Sequence, residues 1–354
     1  MENGSEEISP LGVALVGAGM VAKTHLAAIL GAHRHVTLRG LYSRTSERVA
    51  DLLKAVPADY SCQPRPYGSL EQCLMDDSVD AAIVVTPPNV REELIQPLAE
   101  AGKHILLEKP VARNLPEAEQ VVCVCEQADV QLGIVFQHRF RAASQMAKRL
   151  VNQRNLGRLG AVEVSVPWWR EQSYYDEPGR GTYERDGGGV LINQAIHTID
   201  LFLSLTGPVE SVQAMVSTSP LLKMEAENFV VAGLKFENGA VGSLTASTCS
   251  FPGASEVIVL HFETASLRLE GGVLTASWRD GQTERHGEEN TSGGGADPMA
   301  FTHAWHQAVL EDFAEAVGRG TRPTVTGHDA LAAHRLIEAI ERSGERGQVV
   351  QVTN

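Results

Sequence analysis

The segment GVALVGAGMVA, residues 12–22, joins an apolar run to a glycine-rich turn. Residues 12–16 predict a buried β-strand, and a helical pattern follows Ala22. Between them, Gly17 permits a tight turn and Gly19 lets the backbone approach a pyrophosphate, while Ala22 lets helix and strand pack closely. This G-x-G-x-x-A spacing between a strand and a helix predicts a dinucleotide-binding site. A purely structural glycine turn is the alternative.

The same order of strand, turn and amphipathic helix repeats along residues 12–140. Short, continuous apolar strands are typical of a parallel sheet that helices cover on both faces. The predicted strands are 12–16, 36–42, 81–85, 104–107 and 131–136. Residues 1–140 are therefore predicted to form an α/β, NAD(P)-binding Rossmann domain with a doubly wound parallel sheet. Ligands of such sheets collect at the carboxyl ends of the strands.

After Gly157 the chain changes to longer segments with alternating β-branched residues and turn signals such as Asn238-Gly239. These features predict an antiparallel or mixed sheet with helices on one face. The predicted strands are 161–167, 209–217, 228–236, 240–247, 256–261, 266–270 and 272–278. The polar stretch 281–297 is predicted as a loop, with helices at 301–317 and 328–342. Residues 141–354 are thus predicted to form an α+β domain with a mainly antiparallel sheet.

The composition of the 354 residues is that of a globular protein, with 43% hydrophobic and 21% charged residues. The formal net charge of −14 disfavours nucleic acid or an anionic membrane as a partner. Five cysteines are an odd number, which favours reduced thiols. Residues 1–10 are polar, and no apolar run reaches the roughly 18 residues of a membrane helix. We expect a soluble, cytoplasmic protein that forms a homo-oligomer, dimer or tetramer, because an open sheet commonly buries a face by self-association.

Two further segments are candidate cofactor contacts. The second strand ends in Ser43 and Arg44, where an NAD site usually offers an acidic side chain to the ribose. A hydroxyl and a guanidinium suit a 2′-phosphate, which favours NADP over NAD. The alternative is that Arg44 is a solvated residue at a helix start. Thr86, Pro87 and Asn89 follow the third predicted strand, where the cofactor ribose would lie.

The fourth predicted strand ends in Glu108-Lys109-Pro110. Pro110 makes the turn rigid, so that Lys109 stands at the edge of the sheet where a nicotinamide would lie. A charged surface cap is the alternative for this pair. The predicted cofactor contacts are Gly17, Gly19, Met20, Val21, Ser43, Arg44, Thr86, Pro87, Asn89, Glu108 and Lys109.

The third motif is DGGGVLINQAIHTID, residues 186–200. Within it, three glycines are followed by polar residues at helical spacing. Asn193, His197 and Asp200 are four and three residues apart, which places them on one side of a helix. Such a stripe packs poorly but can grip a polar ligand and move a proton. The alternative is a helix in which His197 makes a single buried hydrogen bond.

Together, the motifs G-A-G-M-V-A, E-K-P and G-G-G-x-L-x-N-Q-x-I-H-x-I-D resemble those of the glucose–fructose oxidoreductase and inositol dehydrogenase (Gfo/Idh/MocA) family, over nearly the whole chain. The resemblance implies a Rossmann domain, an α+β domain and a substrate cleft between them. The α+β domain, residues 141–354, is then expected to have a large open sheet for substrate binding and oligomerisation, and its C-terminal helix can pack back on the first domain. It implies that Lys109 and His197 are catalytic, and that the substrate is a secondary alcohol of a sugar, cyclitol or related compound. Many relatives carry Asp where this chain has Asn193, and a neutral amide cannot act as a base.

A mechanistic hypothesis follows from this resemblance. His197 takes the hydroxyl proton while a hydride passes between the same carbon and the nicotinamide. Lys109 bonds the same oxygen and stabilises the developing alkoxide. Asn193 holds a neighbouring hydroxyl, and Asp200 orients the imidazole or contacts the substrate or the cofactor amide.

Other polar residues have weaker signals. Arg170 and Tyr183 lie in an aromatic and basic stretch that suits a sugar ring or phosphate, with an oligomer contact or core packing as alternatives. Residues 137–140 are a candidate cleft lining or an interdomain linker. His303 and His306 have no acidic or thiol partner beside them, so no metal site is predicted.

A regulator that senses NADP or a sugar without turnover is the competing function, and the Lys109 and His197 pair favours an enzyme.

Overall fold

The chain folds into two units in a computed structural model that describes residues 9–153, 155–289, 294–295 and 301–353. The first unit comprises the described residues within Met1–Val111, Glu119–Val135 and Thr302–Gly327. The second comprises those within Ala112–Ala118, Phe136–Phe301 and His328–Asn354. Each unit is built around its own sheet.

The first unit contains a parallel sheet with strand order β3-β2-β1-β4-β5-β6. Its strands are β1 (Leu11–Val16), β2 (Val36–Tyr42), β3 (Arg65–Tyr67), β4 (Ala81–Val84), β5 (His104–Glu108) and β6 (Leu132–Val135). The strand order runs outward in opposite directions from β1 and β4, which is the switch point where such sheets bind ligands. All of β4 and all but the first residue of β1 are buried, as their apolar sequences predict. The predicted doubly wound sheet is confirmed.

The second unit contains a mixed sheet with strand order β14-β13-β12-β11-β7-β10-β9-β8-β15. Strands β7 and β10 are parallel, and the other neighbours are antiparallel. The bounds are β7 (Leu159–Pro167), β8 (Val209–Ser217), β9 (Phe229–Phe236), β10 (Val241–Ser247), β11 (Val257–Phe262), β12 (Ala265–Glu270), β13 (Val273–Trp278), β14 (Thr283–Gly287) and β15 (Val350–Gln351). This confirms the predicted α+β organisation with a large, mainly antiparallel sheet.

Helices cover the faces that the strands bury. The α-helices of the described residues are α1 (Ala22–Gly31), α2 (Ser46–Leu53), α3 (Leu70–Leu74), α4 (Glu92–Glu100), α5 (Leu115–Gln127), α6 (Ala142–Gln153), α7 (Gln172–Tyr175), α8 (Ile196–Thr206), α9 (Ala304–Arg319) and α10 (Gly327–Arg346). Helix α9 packs on α1, β5 and β6 in the first unit, and α6 and α8 pack on the sheet of the second. Within the described part of the chain, no helix is both long and apolar enough to cross a membrane.

Three of the observed strands were not predicted from the sequence. The segment 281–297 was predicted as a loop, but Thr283–Gly287 forms β14 and pairs antiparallel with β13. Its residues are polar because it is an edge strand with an exposed face, so its sequence has no apolar alternation. Residues 290–293, 296 and 297 of that segment lie outside the described residues. The short strands β3 and β15 were also missed, since each has too few residues to form a pattern.

Candidate active site

The turn after β1 leaves open space beside its backbone. Gly17 has φ +112°, and a Cβ atom there would lie 3.1 Å from the backbone carbon of Val85. Gly19 is exposed, and among the described residues nothing lies within 4 Å of the position its Cβ atom would take. Glycine is thus needed at position 17 for the turn, and at position 19 it leaves room for a ligand.

Helix α1 begins directly after this turn. The partial positive charge of its N-terminus is not neutralised by a side chain of the helix itself. In the described residues of α1, no side chain caps the N-terminus at Val21 and the first turn has no acidic residue. Met20 is 50% exposed and Val21 is half-buried, while Ala22 is fully buried against the sheet. Since the N–H groups at a helix start bind phosphate oxygens well, Gly19 and α1 fit the pyrophosphate of a dinucleotide.

The end of β2 presents a hydroxyl and a guanidinium. Ser43 is half-buried, and its Oγ accepts a hydrogen bond from the backbone N–H of Thr45 at 3.4 Å. Arg44 is exposed, and its guanidinium makes no salt bridge within the part of the chain that the structure describes. Because no carboxylate there holds it, the Arg44 side chain can reach an anionic ligand.

The loop after β4 is held by a buried guanidinium. Thr86 and Pro87 are half-buried, and Asn89 is exposed in the short 3₁₀ turn Pro88–Val90. Arg91 is only 2% exposed. It donates from Nε and Nη2 to the Thr86 carbonyl oxygen, at 3.1 and 2.8 Å, and from Nη2 to the Lys109 carbonyl oxygen at 3.5 Å. Arg91 therefore ties this loop to the end of β5.

Lys109 follows β5 with its backbone held on both sides. Its N–H donates to Glu108 Oε2 at 3.0 Å, and its carbonyl oxygen accepts the bond from Arg91. The peptide bond to Pro110 is cis, and the Lys109 side chain is half-buried. The ammonium group is therefore carried by an anchored backbone at the carboxyl edge of the parallel sheet.

Glu108 lies in a buried cluster with two histidines from α1 and α9. His25 Nε2 is 2.8 Å from Glu108 Oε1, and His306 Nε2 is 3.7 Å from the same oxygen. Burial would raise the pKa of Glu108, but the hydrogen bond and charge of His25 outweigh burial and lower it to about 2. Burial and the neighbouring His25 lower the pKa of His306 to about 3. The expectation that His306 has no acidic partner is therefore wrong.

The cluster fits a hydrogen-bonded support better than a metal site. Its ligand-type atoms lie within 4.8 Å of one another, which is close enough to consider a cation. The 2.8 Å between His25 and Glu108 is a normal hydrogen-bond distance. Two ligands of one tetrahedral zinc, each about 2.0 Å from the ion, would lie roughly 3.3 Å apart. We interpret the cluster as a brace for the end of β5, and Glu108 as part of that brace.

In the second unit, the glycine run packs backbone against backbone. Gly187 has φ +82°, and a Cβ atom there would lie 2.3 Å from the Arg113 carbonyl oxygen. A Cβ atom on Gly189 would lie 1.7 Å from the carbonyl oxygen of Glu227. The Glu227 carboxylate accepts hydrogen bonds from the N–H groups of Gly189 and Leu191, both at 2.9 Å. The predicted close-approach turn thus also carries a buried acidic cap for the helix that follows.

Asn193 lies in a π-helical turn, Leu191–Ala195, that leads into α8. Its Nδ2 donates to the carbonyl oxygens of Gly188 and Gly189, at 2.8 and 3.1 Å. The wider turn interrupts the regular α-helical spacing predicted for Asn193, His197 and Asp200. The amide nitrogen of Asn193 therefore stabilises the glycine turn.

The His197 imidazole lies between two rings. His197 is 5% exposed. The ring of Phe136 meets it edge-on, with centroids 5.9 Å apart, and the ring of His138 stacks on it, with centroids 4.7 Å apart. These contacts fix the plane of the imidazole.

Asp200, one turn after His197, is fully buried. Arg139 donates from Nη2 and Nε to its two carboxylate oxygens, at 2.5 and 2.8 Å, and from Nη1 to Asp329 at 3.1 Å. Burial raises the pKa of Asp200, and the Arg139 guanidinium opposes that rise. The Asp200 carboxylate is thus an ion-pair partner inside the unit.

Arg170 and Tyr183, the two remaining predicted substrate contacts, have different environments. Arg170 is 3% exposed and donates from Nη1 to the carbonyl oxygens of Trp169 and Gly295, at 2.8 and 2.7 Å. Tyr183 is 48% exposed, and partial burial with the nearby charge of Glu227 raises its pKa to about 12. Arg170 therefore braces loops, whereas the protonated Tyr183 phenol faces solvent.

Two family models match the chain. Residues 11–136 match an oxidoreductase family with an NAD-binding Rossmann fold, and residues 144–268 match the Gfo/Idh/MocA C-terminal domain. The chain belongs to the Gfo/Idh/MocA family. This confirms the resemblance carried by its three motifs and makes the protein an NAD(P)-dependent oxidoreductase.

Several similar proteins are named as dehydrogenases. D-xylose 1-dehydrogenase (NADP(+)) 2 of Haloferax volcanii is 26% identical over 294 residues, 82% of this chain and 85% of that protein. Myo-inositol 2-dehydrogenase of Thermotoga maritima is 24% identical over 297 residues, 81% of this chain and 84% of that protein. The WlbA dehydrogenase from Bordetella pertussis, solved with NADH and UDP-GlcNAcA, superposes with a TM-score of 0.82 and 28% identity over 98% of this chain and 99% of that one.

Sequence reasoning missed His25, Arg91 and Glu227 in this family member. His25 had a weak signal, because it falls on the same face of α1 as the buried Ala22 and Ile29, where a polar residue needs a partner. Arg91 and Glu227 had none, since loop residues of these types are usually exposed. Their partners lie on other segments and became visible only in the folded chain.

Proposed function

We propose that this oxidoreductase transfers a hydride between NAD(P) and a secondary alcohol of a sugar, cyclitol, glycoside or nucleotide sugar, with Lys109 and His197 handling the hydroxyl proton. The position of Lys109 carries the proposal. It stands at the carboxyl end of β5, in the parallel sheet whose glycine turn is open at Gly19. The relatives named for xylose and inositol, and the similar chain solved with UDP-GlcNAcA, support the substrate class.

Lys109 would serve as the electrostatic partner of the reacting oxygen. A bound nicotinamide supplies the hydride acceptor or donor. Loss of the hydroxyl proton leaves negative charge on the oxygen, and a preorganised ammonium stabilises that charge more than mobile water does. The bonds that Glu108 and Arg91 make to the Lys109 backbone support such preorganisation.

His197 would take and return the proton. An imidazole is the side chain whose ordinary pKa lies nearest neutrality, which suits a general base and acid. Asn193 cannot share this task because an amide does not titrate, and its Nδ2 already bonds the glycine turn. We propose that its carbonyl side contacts a neighbouring hydroxyl. The full burial of Asp200 favours a supporting role over the direct substrate contact expected from the sequence.

For the cofactor we propose NADP, with NAD as the competing dinucleotide. The exposed Arg44 beside Ser43 can pair with a 2′-phosphate, and neither residue offers a carboxylate to the ribose hydroxyls of NAD. Similar proteins point both ways, since the xylose dehydrogenase is named for NADP and the WlbA structure holds NADH. Direct comparison of the two cofactors is therefore part of the functional test.

We also propose that the protein is a homo-oligomer. Met215 and Val231 are paired neighbours in the second sheet and are 59% and 37% exposed, and Val241, on the same face, is 58% exposed. Exposed apolar side chains on a broad sheet are typical of an interface. The molar mass measured by light scattering would test this proposal.

A panel of sugars, cyclitols, glycosides and nucleotide sugars assayed with NAD and with NADP tests the proposed function. We expect formation or consumption of reduced nicotinamide with at least one compound. The competing function, a regulator that binds NADP or a sugar without turnover, predicts cofactor binding with no hydride transfer to any compound. Cofactor binding measured by calorimetry on the same samples separates these outcomes from a misfolded preparation.

A further inference from the structure

A second imidazole, that of His138, lies against the proposed catalytic base. The rings of His138 and His197 are stacked, with centroids 4.7 Å apart and planes inclined by 23°. His138 belongs to the 3₁₀ turn Gln137–Phe140, directly after Phe136, whose ring meets His197 edge-on. One short segment thus supplies two of the rings around His197.

The tautomer of His138 follows from its neighbours. Arg141 Nη2 lies 2.5 Å from His138 Nε2. A guanidinium only donates hydrogen bonds, so Nε2 is the acceptor and the proton of the neutral ring is on Nδ1. Nδ1 lies 3.8 Å from Glu256 Oε1, which also accepts a bond from Arg141 Nη1 at 2.5 Å. All three side chains are buried, so the orientation of His138 is fixed.

We propose that His138 is a positioning residue for His197, an inference that rests on the proposed function. The neutral ring holds the plane of the His197 imidazole and stabilises the imidazolium that forms when the substrate O–H bond breaks and a N–H bond forms on His197. The same proton returns to oxygen in the reverse reaction. His138 exchanges no proton, because Arg141 occupies the one ring nitrogen that could accept it.

Charge around the two rings is balanced in the described elements. Glu256, just before β11, offsets Arg141, just before α6. On the α8 side, the Asp200 carboxylate is paired with Arg139, which also contacts Asp329 of α10. An imidazolium at His197 therefore meets a neutral ring, and the guanidinium beyond it has its own counter-ion.

Nuclear magnetic resonance of the full chain, with isotope-labelled histidine, tests the inference without any turnover. We expect the ring of His138 to keep its proton on Nδ1 while His197 titrates. Replacing the ring, in His138→Gln, should lower the titration midpoint of His197 by about half a pH unit or more, since a stacked partner for the imidazolium is lost. His138→Phe retains a ring and should shift the midpoint less.

His334→Gln is the matched control, because His334 is as buried as His138, at 2% exposed, and lies in α10 of the same unit. It should leave the His197 midpoint unchanged. In the substrate assay, His138→Gln should lower kcat about tenfold or more and move the acidic limb of its pH profile, with the KM for the cofactor unchanged. An unchanged His197 midpoint in both His138 variants, or equal shifts in the His334 control, would overturn the inference even if the enzyme turns over.

Discussion

Arg139 donates hydrogen bonds to both carboxylate oxygens of Asp200, which is completely buried. The pair joins the turn Gln137–Phe140 to α8. Since these two elements carry His138 and His197, the ion pair holds together the two segments whose rings stack. Asp200, which the sequence predicts as a substrate contact, is thus an ion-pair partner that supports the proposed site.

Asp200→Asn should therefore destabilise the protein. Removing the charge leaves the largely covered Arg139 guanidinium without its fully buried counter-ion, which costs roughly 3 kcal/mol in the free energy of unfolding. Asp329→Asn removes a single, more exposed contact to the same guanidinium and should cost about 1 kcal/mol or less. Urea unfolding measures both, and a loss for Asp200→Asn no greater than that for Asp329→Asn would contradict the account.

Gly19→Val should separate folding from cofactor binding. Gly19 does not have a positive φ, and the position of its Cβ atom is free of described neighbours, so the variant should unfold at the temperature of the wild-type protein. The added side chain would occupy the space proposed for the pyrophosphate, and cofactor affinity should fall at least tenfold. Gly17→Val, by contrast, should lower the unfolding temperature because its φ is +112°. If the folded Gly19→Val protein binds the cofactor with unchanged affinity, the cofactor pyrophosphate does not bind at this turn.

Arg44→Ser tests the choice of dinucleotide. Loss of a charge-assisted contact to the 2′-phosphate should weaken NADP binding about tenfold or more and leave NAD binding nearly unchanged. Arg48→Ser is the control, because Arg48 is also exposed but lies on α2, after the predicted contact. It should alter neither affinity. Calorimetry with both dinucleotides measures the effect. Equal weakening of NAD and NADP by Arg44→Ser would argue against NADP.

Much of the fold could be predicted because long apolar strands carry their own signal. The bounds predicted for β2 and β8, 36–42 and 209–217, are those observed. Strand β14 was missed because its alternation is between exposed and half-exposed polar residues, so no hydrophobic period marks it. Strand β3 contains Pro66 and pairs with β2 over three residues, a length that has no period at all.

Residues of the candidate site could be predicted only where their role depends on neighbouring residues in the sequence. Glycines 17 and 187 were identified because their role depends on local backbone geometry. The supports of Lys109 and His197 could not be identified in that way. His25 and Glu108 are 83 residues apart, and Arg141 meets Glu256 across 115 residues, so only the folded chain joins them.

Glu341 should make stability depend on pH. Its Oε1 is buried without a hydrogen-bond partner among the described residues, and burial raises the pKa of Glu341 to about 8, with the charge of Glu227 adding to the effect. The folded protein thus binds this proton more tightly than the unfolded chain, so stability falls as pH rises from about 4.5 to 8. Glu341→Gln should raise the free energy of unfolding at pH 8 by about 1–2 kcal/mol and have little effect near pH 4.5. The exposed Glu345→Gln is the control, and equal effects of the two variants at pH 8 would contradict the prediction.

The rate of hydride transfer in Lys109→Ala, measured in a single turnover with saturating cofactor, tests the central claim most directly. Because the hydrogen bonds that join residue 109 to Glu108 and Arg91 are made by its backbone, the variant should fold and bind cofactor within about threefold of the wild-type protein. Removing one preorganised donor to the reacting oxygen should slow transfer at least about 100-fold, whereas Lys54→Ala, at an exposed site, should not slow it. Transfer by Lys109→Ala within a few fold of the wild-type rate would contradict the claim that this ammonium acts on the substrate oxygen.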